Sequence, residues 1–140
     1  MAIIVESCND ADIYRICCII SDAFGDDQSY HNLIYPNHHE KTGRVQGAER
    51  LLQMKQNDST NRFMKAIDTD TGKIIGQAKW IVFADEEPAQ PILTGDFWDS
   101  EDEKQRAAYM YAAFQEPRRK AAEAADRPLV CWSHPNCWAQ

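Results

Sequence analysis

The residues of this chain whose types and spacing could do chemistry gather in a few places. Cys131, His134 and Cys137 recur every three residues near the end of the sequence, and thiolates with an imidazole are ligands that zinc takes. A fourth ligand and the paired spacing of structural zinc sites are missing, so the triplet reads better as a strand end followed by a His-Pro turn. Cys17 and Cys18 are neighbours, and neighbours on a helix point apart, so neither a local disulfide nor a redox pair is expected. A cysteine nucleophile would need a partner base such as His134, and no spacing pairs them. Asp68-Thr69-Asp70-Thr71-Gly72 opens like a calcium loop but lacks the later carboxylate ligand, and is read as a hairpin turn. Between Asp26 and Gly43 lies a polar, aromatic stretch holding Tyr30, His31, Tyr35, His38 and His39. Long loops of this kind are functional or disordered; taken singly, His38-His39 reads as an exposed pair and Trp80 as hairpin core.

The elements that must position these groups follow from periodicity and punctuation. Ala2 to Val5 reads as a strand. Asn9-Asp10 offers a helix cap, Asp12 puts negative charge in the first turn, and Ile13, Ile16, Cys17, Ile20 and Phe24 form one helical face that Gly25 ends. Thr42 can cap a second helix over about 43–57, with Val45, Ala48, Leu51 and Leu52 inward. Arg62 to Asp68 and Lys73 to Phe83 flank Thr69-Asp70-Thr71-Gly72 and predict a hairpin, with a bulge or close approach at Gly76. Ser100 and Glu103 have capping-box spacing and start a helix running to about Gln115. Pro117 predicts the start of a second segment, to about Ala125. Leu129 to Trp132 reads as a final strand. The result is one α+β domain, with a mostly antiparallel sheet of roughly four strands, two N-terminal helices and a helix pair inserted before the last strand.

Composition bounds the partners. Fifteen Lys and Arg against 22 Asp and Glu leave a net charge of −7. This disfavours a nucleic-acid backbone or an anionic membrane as the main partner. Met1 to Val5 has no basic flank and is interrupted at Glu6, so no secretory signal is read, and the longest apolar runs are too short to span a bilayer. Five cysteines without such a signal fit free thiols in a reducing, cytoplasmic setting.

Three stretches carry a family resemblance. Ile3-Ile4-Val5-Glu6, leading to Asp10-Ala11-Asp12 and ending in Asp22-Ala23-Phe24, looks like the first strand and helix of the GCN5-related N-acetyltransferases (GNAT). Ile74-Ile75-Gly76-Gln77-Ala78-Lys79-Trp80 is similar to the third strand of fungal members. Ser133-His134-Pro135-Asn136-Cys137-Trp138-Ala139-Gln140 resembles the segment that leads into the family's glycine-rich loop. There, backbone N–H groups at a helix N-terminus hold the pyrophosphate of coenzyme A.

The resemblance implies a GNAT-like domain over residues 1–140, truncated before the glycine-rich loop. It implies acetyl-CoA as co-substrate and transfer of an acetyl group to an amine of a small molecule or peptide. Cys131 and Ser133 would offer backbone groups to the pantetheine arm, and Trp138 and Gln140 would lead to the phosphates. Tyr30, Tyr35 and Trp80, with His38 or His39 beside them, would line the amine pocket. No residue is implied as the catalytic base. The alternative is a non-catalytic remnant that binds or dimerises through an exposed last strand.

Overall fold

A computed structural model describes residues 2–82, 93, 95–124 and 131–132. The chain is α+β. Strand β1 (Ile3–Ser7) leads through a 3-10 turn (Asp10–Asp12) to helix α1 (Ile13–Phe24), then α2 (Ser29–Ile34), α3 (Lys41–Asn57), strands β2 (Asn61–Asp68) and β3 (Lys73–Ile81), and helix α4 (Glu101–Glu123). The three strands form an antiparallel sheet in the order β1-β2-β3. The two residues Cys131–Trp132 bond antiparallel to the free edge of β3, with Ile81 opposite Cys131 and Trp80 opposite Trp132. The rest of the expected last strand, Leu129 and Val130, lies outside the described residues.

Local chemistry explains most boundaries. Asn9 and Asp12 close a reciprocal capping box: the Asp12 N–H donates to Asn9 Oδ1 at 3.1 Å, and the Asn9 N–H donates to Asp12 Oδ2 at 2.8 Å. Gly25, at φ 59°, ends α1 by donating its N–H to Ser21 O. At the hairpin, Gly72 takes φ 66° and its N–H donates to Asp68 O, while the Asp68 carboxylate accepts from Asp70 N–H and Thr71 Oγ1. The register jumps from Ala66↔Gly76 to Ile67↔Ile74, leaving Ile75 as the extra residue of a bulge beside Gly76.

Three expectations give way. The stretch 26–43 is not all loop, since α2 occupies its centre and α3 begins at Lys41. Val45 points outward; the buried line on α3 is Gly43, Gly47, Ala48 and Leu51. The glycines let neighbouring backbone and rings approach where a larger side chain could not. Pro117 does not start a new segment, because α4 runs through it. A mid-helix proline forfeits a hydrogen bond. Ion pairs from Arg119 to Glu116 and Glu123, and from Lys120 to Glu116, tie the turns on either side together. At the start of α4 the Glu103 N–H donates to Ser100 Oγ, and the Glu103 carboxylate accepts from Asp99 N–H.

α1 and α3 pack together, α1 also against β3 and α3 against β2. Cys8, Ile13, Ile16, Cys17, Ala48, Leu51 and Phe63 make the core between them. Lys55 Nζ and Gln56 Nε2 reach Asp10 and pin the end of α3 to the 3-10 turn. α4 packs on α2. No helix among the described residues is long and apolar enough to cross a membrane.

Candidate functional site

The packing of α2 against α4, with Arg50 of α3 reaching the end of α2, assembles a cluster that no local spacing announces. Its centre is Arg50, on α3. The guanidinium lies 4.7 Å from the ring centroid of Tyr35, 4.8 Å from Phe97 and 5.3 Å from Trp98, all within cation–π range. Nη1 donates to Ile34 O, the last carbonyl of α2, at 2.5 Å. Trp98 is held in place by its indole N–H, which donates to Leu33 O at 2.8 Å. Behind these, Tyr30 packs on Phe114 of α4 with centroids 4.6 Å apart.

Electrostatics set the protonation states. Burial draws Arg50 below its ordinary value, with the neighbouring tyrosines pulling the other way; a guanidinium stays a cation regardless. Burial pushes Tyr35 up to about 12 and raises Tyr30 and Tyr111 as well. All three phenols are therefore neutral, with O–H groups able to donate or accept.

Beside this cluster lies a buried histidine pair. His31 stacks on Phe24 at 4.6 Å and meets Tyr35 at 5.1 Å and the edge of His38 at 4.4 Å. His38 is 3% exposed, so the exposed-pair reading holds only for His39. The His38 ring is gripped at both nitrogens, by Ser21 Oγ at 2.7 Å and Asn32 Oδ1 at 2.8 Å. Asn32 Nδ2 donates to Asp26 O, which turns its carbonyl oxygen toward the ring. Asn32 Oδ1 can only accept, so Nε2–H donates to it, while Ser21 Oγ, whose one proton is also within reach of His38 O at 2.6 Å, faces Nδ1. Asp26, His38 and His39 bring ligand atoms within 4.8 Å of one another. A cation there would have to break one of the His38 bonds, so the set is better read as a scaffold for the loop.

The pair predicts an acid sensitivity. Burial, with His38 adding to it, drives His31 down to about 3, whereas an unfolded histidine titrates near ~6.5. Only the unfolded chain takes up this proton as pH falls below that value. Stability is thus whole above it and declines toward pH 3. By about pH 4.5 the His31 contribution should be a loss of about 2–3 kcal/mol. His38, lowered chiefly by burial, acts in the same direction. Urea midpoints at the two pH values, compared between the native chain and His31→Phe, should show a flatter dependence in the variant; parallel curves would contradict this assignment.

Two further groups face the interior from β3. Lys79 is pushed down to about 8, mainly by burial, and its Nζ lies 2.8 Å from Met54 Sδ. Among the described residues the buried Gln77 side-chain carbonyl has no hydrogen-bond partner.

Of the residues expected at an amine pocket, Tyr30 and Tyr35 flank the Arg50 cluster. Trp80 is half-buried near the end of β3, in register with Arg62 and Trp132. Cys131 is described through its pairing with Ile81, and Ser133, Trp138 and Gln140 lie outside the described residues. Sequence reasoning missed Arg50, Phe97, Trp98, Tyr111 and Phe114. The Phe97-Trp98 pair just before a capping box was the signal available. Comparisons with protein-family models, with curated proteins and with solved structures returned no match.

Proposed function

We propose that the chain is a GNAT-type protein that transfers an acetyl group from acetyl-CoA to an amine of a small molecule or peptide. The observation that carries this reading is the element order joined to the sheet: β1, then α1 and α3 packed together, then the β2-β3 hairpin, then Cys131–Trp132 against the edge of β3. In sequence, that pair directly precedes Ser133 to Gln140, the stretch that resembles the lead into a coenzyme A loop. Acetyl-CoA supplies an activated thioester. The chain's part is to hold the amine beside it and exclude water. Tyr30 and Tyr35 wall the acceptor side as neutral phenols, and Arg50 fixes the floor between α2 and α3. Backbone groups at Cys131 and Ser133 are the proposed contacts of the pantetheine arm, with Trp138 and Gln140 toward the phosphates.

The test is incubation of the full chain with isotope-labelled acetyl-CoA and a panel of amines, read by mass spectrometry. Label should appear on at least one class of amine. A second reading, a binding or dimerisation module, draws on β1, an edge strand exposed at all five residues including Ile3, Ile4 and Val5. A chain that self-associates and leaves acetyl-CoA intact would favour it.

A further inference from the structure

Among the described residues Arg50 is a cation without a counter-charge: it forms no ion pair, and its one hydrogen bond goes to Ile34 O. The guanidinium carries five N–H donors, yet none of its nitrogens is a fully buried, unsatisfied atom. The remaining donors are therefore not fully sealed from solvent, and the guanidinium carbon lies over the rings of Tyr35, Phe97 and Trp98. The edge of a guanidinium is the geometry that pairs two parallel N–H groups with two oxygens.

We propose that this edge is a carboxylate-recognition site, and that the small molecule taken by the chain carries a carboxylate as well as the acceptor amine. The amine half of the statement rests on the acetyl-transfer reading; the carboxylate half rests on Arg50 alone. Three features favour a flat monoanion over a phosphate. The C-terminal carbonyl of α2 points at the guanidinium, and the negative end of a helix disfavours a second negative charge nearby. Among the described residues, no helix N-terminus or row of backbone N–H groups, the usual phosphate device, contributes to the cluster. The walls are rings, which suit a planar group and an apolar or aromatic body behind it. Tyr30 and Tyr111, neutral by burial, are the nearby hydroxyls available to such a ligand.

The test uses the full chain without acetyl-CoA and four probes: phenylalanine, 3-phenylpropionate, phenethylamine and inorganic phosphate. Titration calorimetry should show binding of the two carboxylates and little of phenethylamine or phosphate. Arg50→Lys keeps the charge but loses the fork, and should weaken the carboxylates by ~10-fold or more. Should Arg50→Lys fail to melt cooperatively, the native chain decides, through movement of the Arg50 Nε–H resonance in a ¹H–¹⁵N spectrum on adding 3-phenylpropionate. Equal binding of phenethylamine, preference for phosphate, or an unmoved Arg50 resonance would overturn the proposal. Since no coenzyme is present, failure here leaves acetyl transfer standing, and failure of acetyl transfer leaves the carboxylate site standing.

Discussion

Gly43→Ala should destabilise the chain by about 2–4 kcal/mol, although alanine for glycine inside a helix ordinarily gains about 1 kcal/mol. A Cβ on Gly43 would sit 2.0 Å from Asn37 O, 2.4 Å from Asn37 C and 3.0 Å from His38 N. These are backbone atoms, and they cannot swing aside. Asn37 holds φ 56° and its carbonyl accepts from Glu40 N–H, while the next carbonyl, His38 O, accepts from Ser21 Oγ and Arg44 Nε. Making room at Gly43 therefore displaces the turn that seats His38. Gly47→Ala is the internal comparison. Its Cβ would meet Cys17 Sγ at 2.9 Å and Tyr35 Cδ1 at 3.3 Å, side-chain atoms that can give, so a smaller loss of about 1 kcal/mol is expected, with Tyr35 shifted against Arg50. Urea unfolding of the two variants checks the order, and a Gly43→Ala midpoint at or above the native one would contradict the packing described.

Ile16→Ala should cost about 3–4 kcal/mol, at the upper part of the range for buried aliphatic truncation. Ile16 is 0% exposed and sits in the cluster with Ile13, Cys17, Ala48, Leu51 and Phe63. Its neighbours come from three separate elements, so the cavity cannot close by moving one of them. Against a total stability of about 5–15 kcal/mol, this one change removes a large share. Ile16→Val, which deletes a single methyl group, should cost about 1 kcal/mol. A drop in urea midpoint at unchanged slope is the expected signature.

What could be read in advance was local. α1 announced itself through a capping residue, a three-and-four spacing and a terminal glycine, and the hairpin through Asp68 to Gly72. α2 did not, because six residues with Leu33 and Ile34 only at the end carry too little periodicity to separate a helix turn from a polar loop. Val45 has the apolar bulk that marks an inward position, yet it is exposed. The face that α3 buries is led by Gly43 and Gly47, whose contribution is the absence of a side chain. Pro117 was read as a boundary by its intrinsic cost, and the Glu116–Arg119–Glu123 pairs that span it act only once the helix exists.

The site was less legible than the fold. Tyr30 and Tyr35 were marked by their place in a long aromatic stretch. The arginine between them and Trp98 comes from another helix, and Phe97, Trp98, Tyr111 and Phe114 from residues far along the chain. Their meeting depends on α4 packing against α2, a tertiary event with no sequence period. His38 shows the same gap: beside His39 it reads as exposed, and only Ser21 and Asn32, brought from either side, bury it.

Acetyl-CoA binding tests the central proposal most directly. A ligand that binds only the folded chain stabilises it by about 2.7 kcal/mol at a hundredfold excess over its dissociation constant. For a domain of this size that is a rise of several degrees in melting midpoint. Millimolar acetyl-CoA should raise the midpoint of the full chain, and an equal concentration of acetate should not. An unchanged midpoint with acetyl-CoA would contradict the acetyltransferase reading.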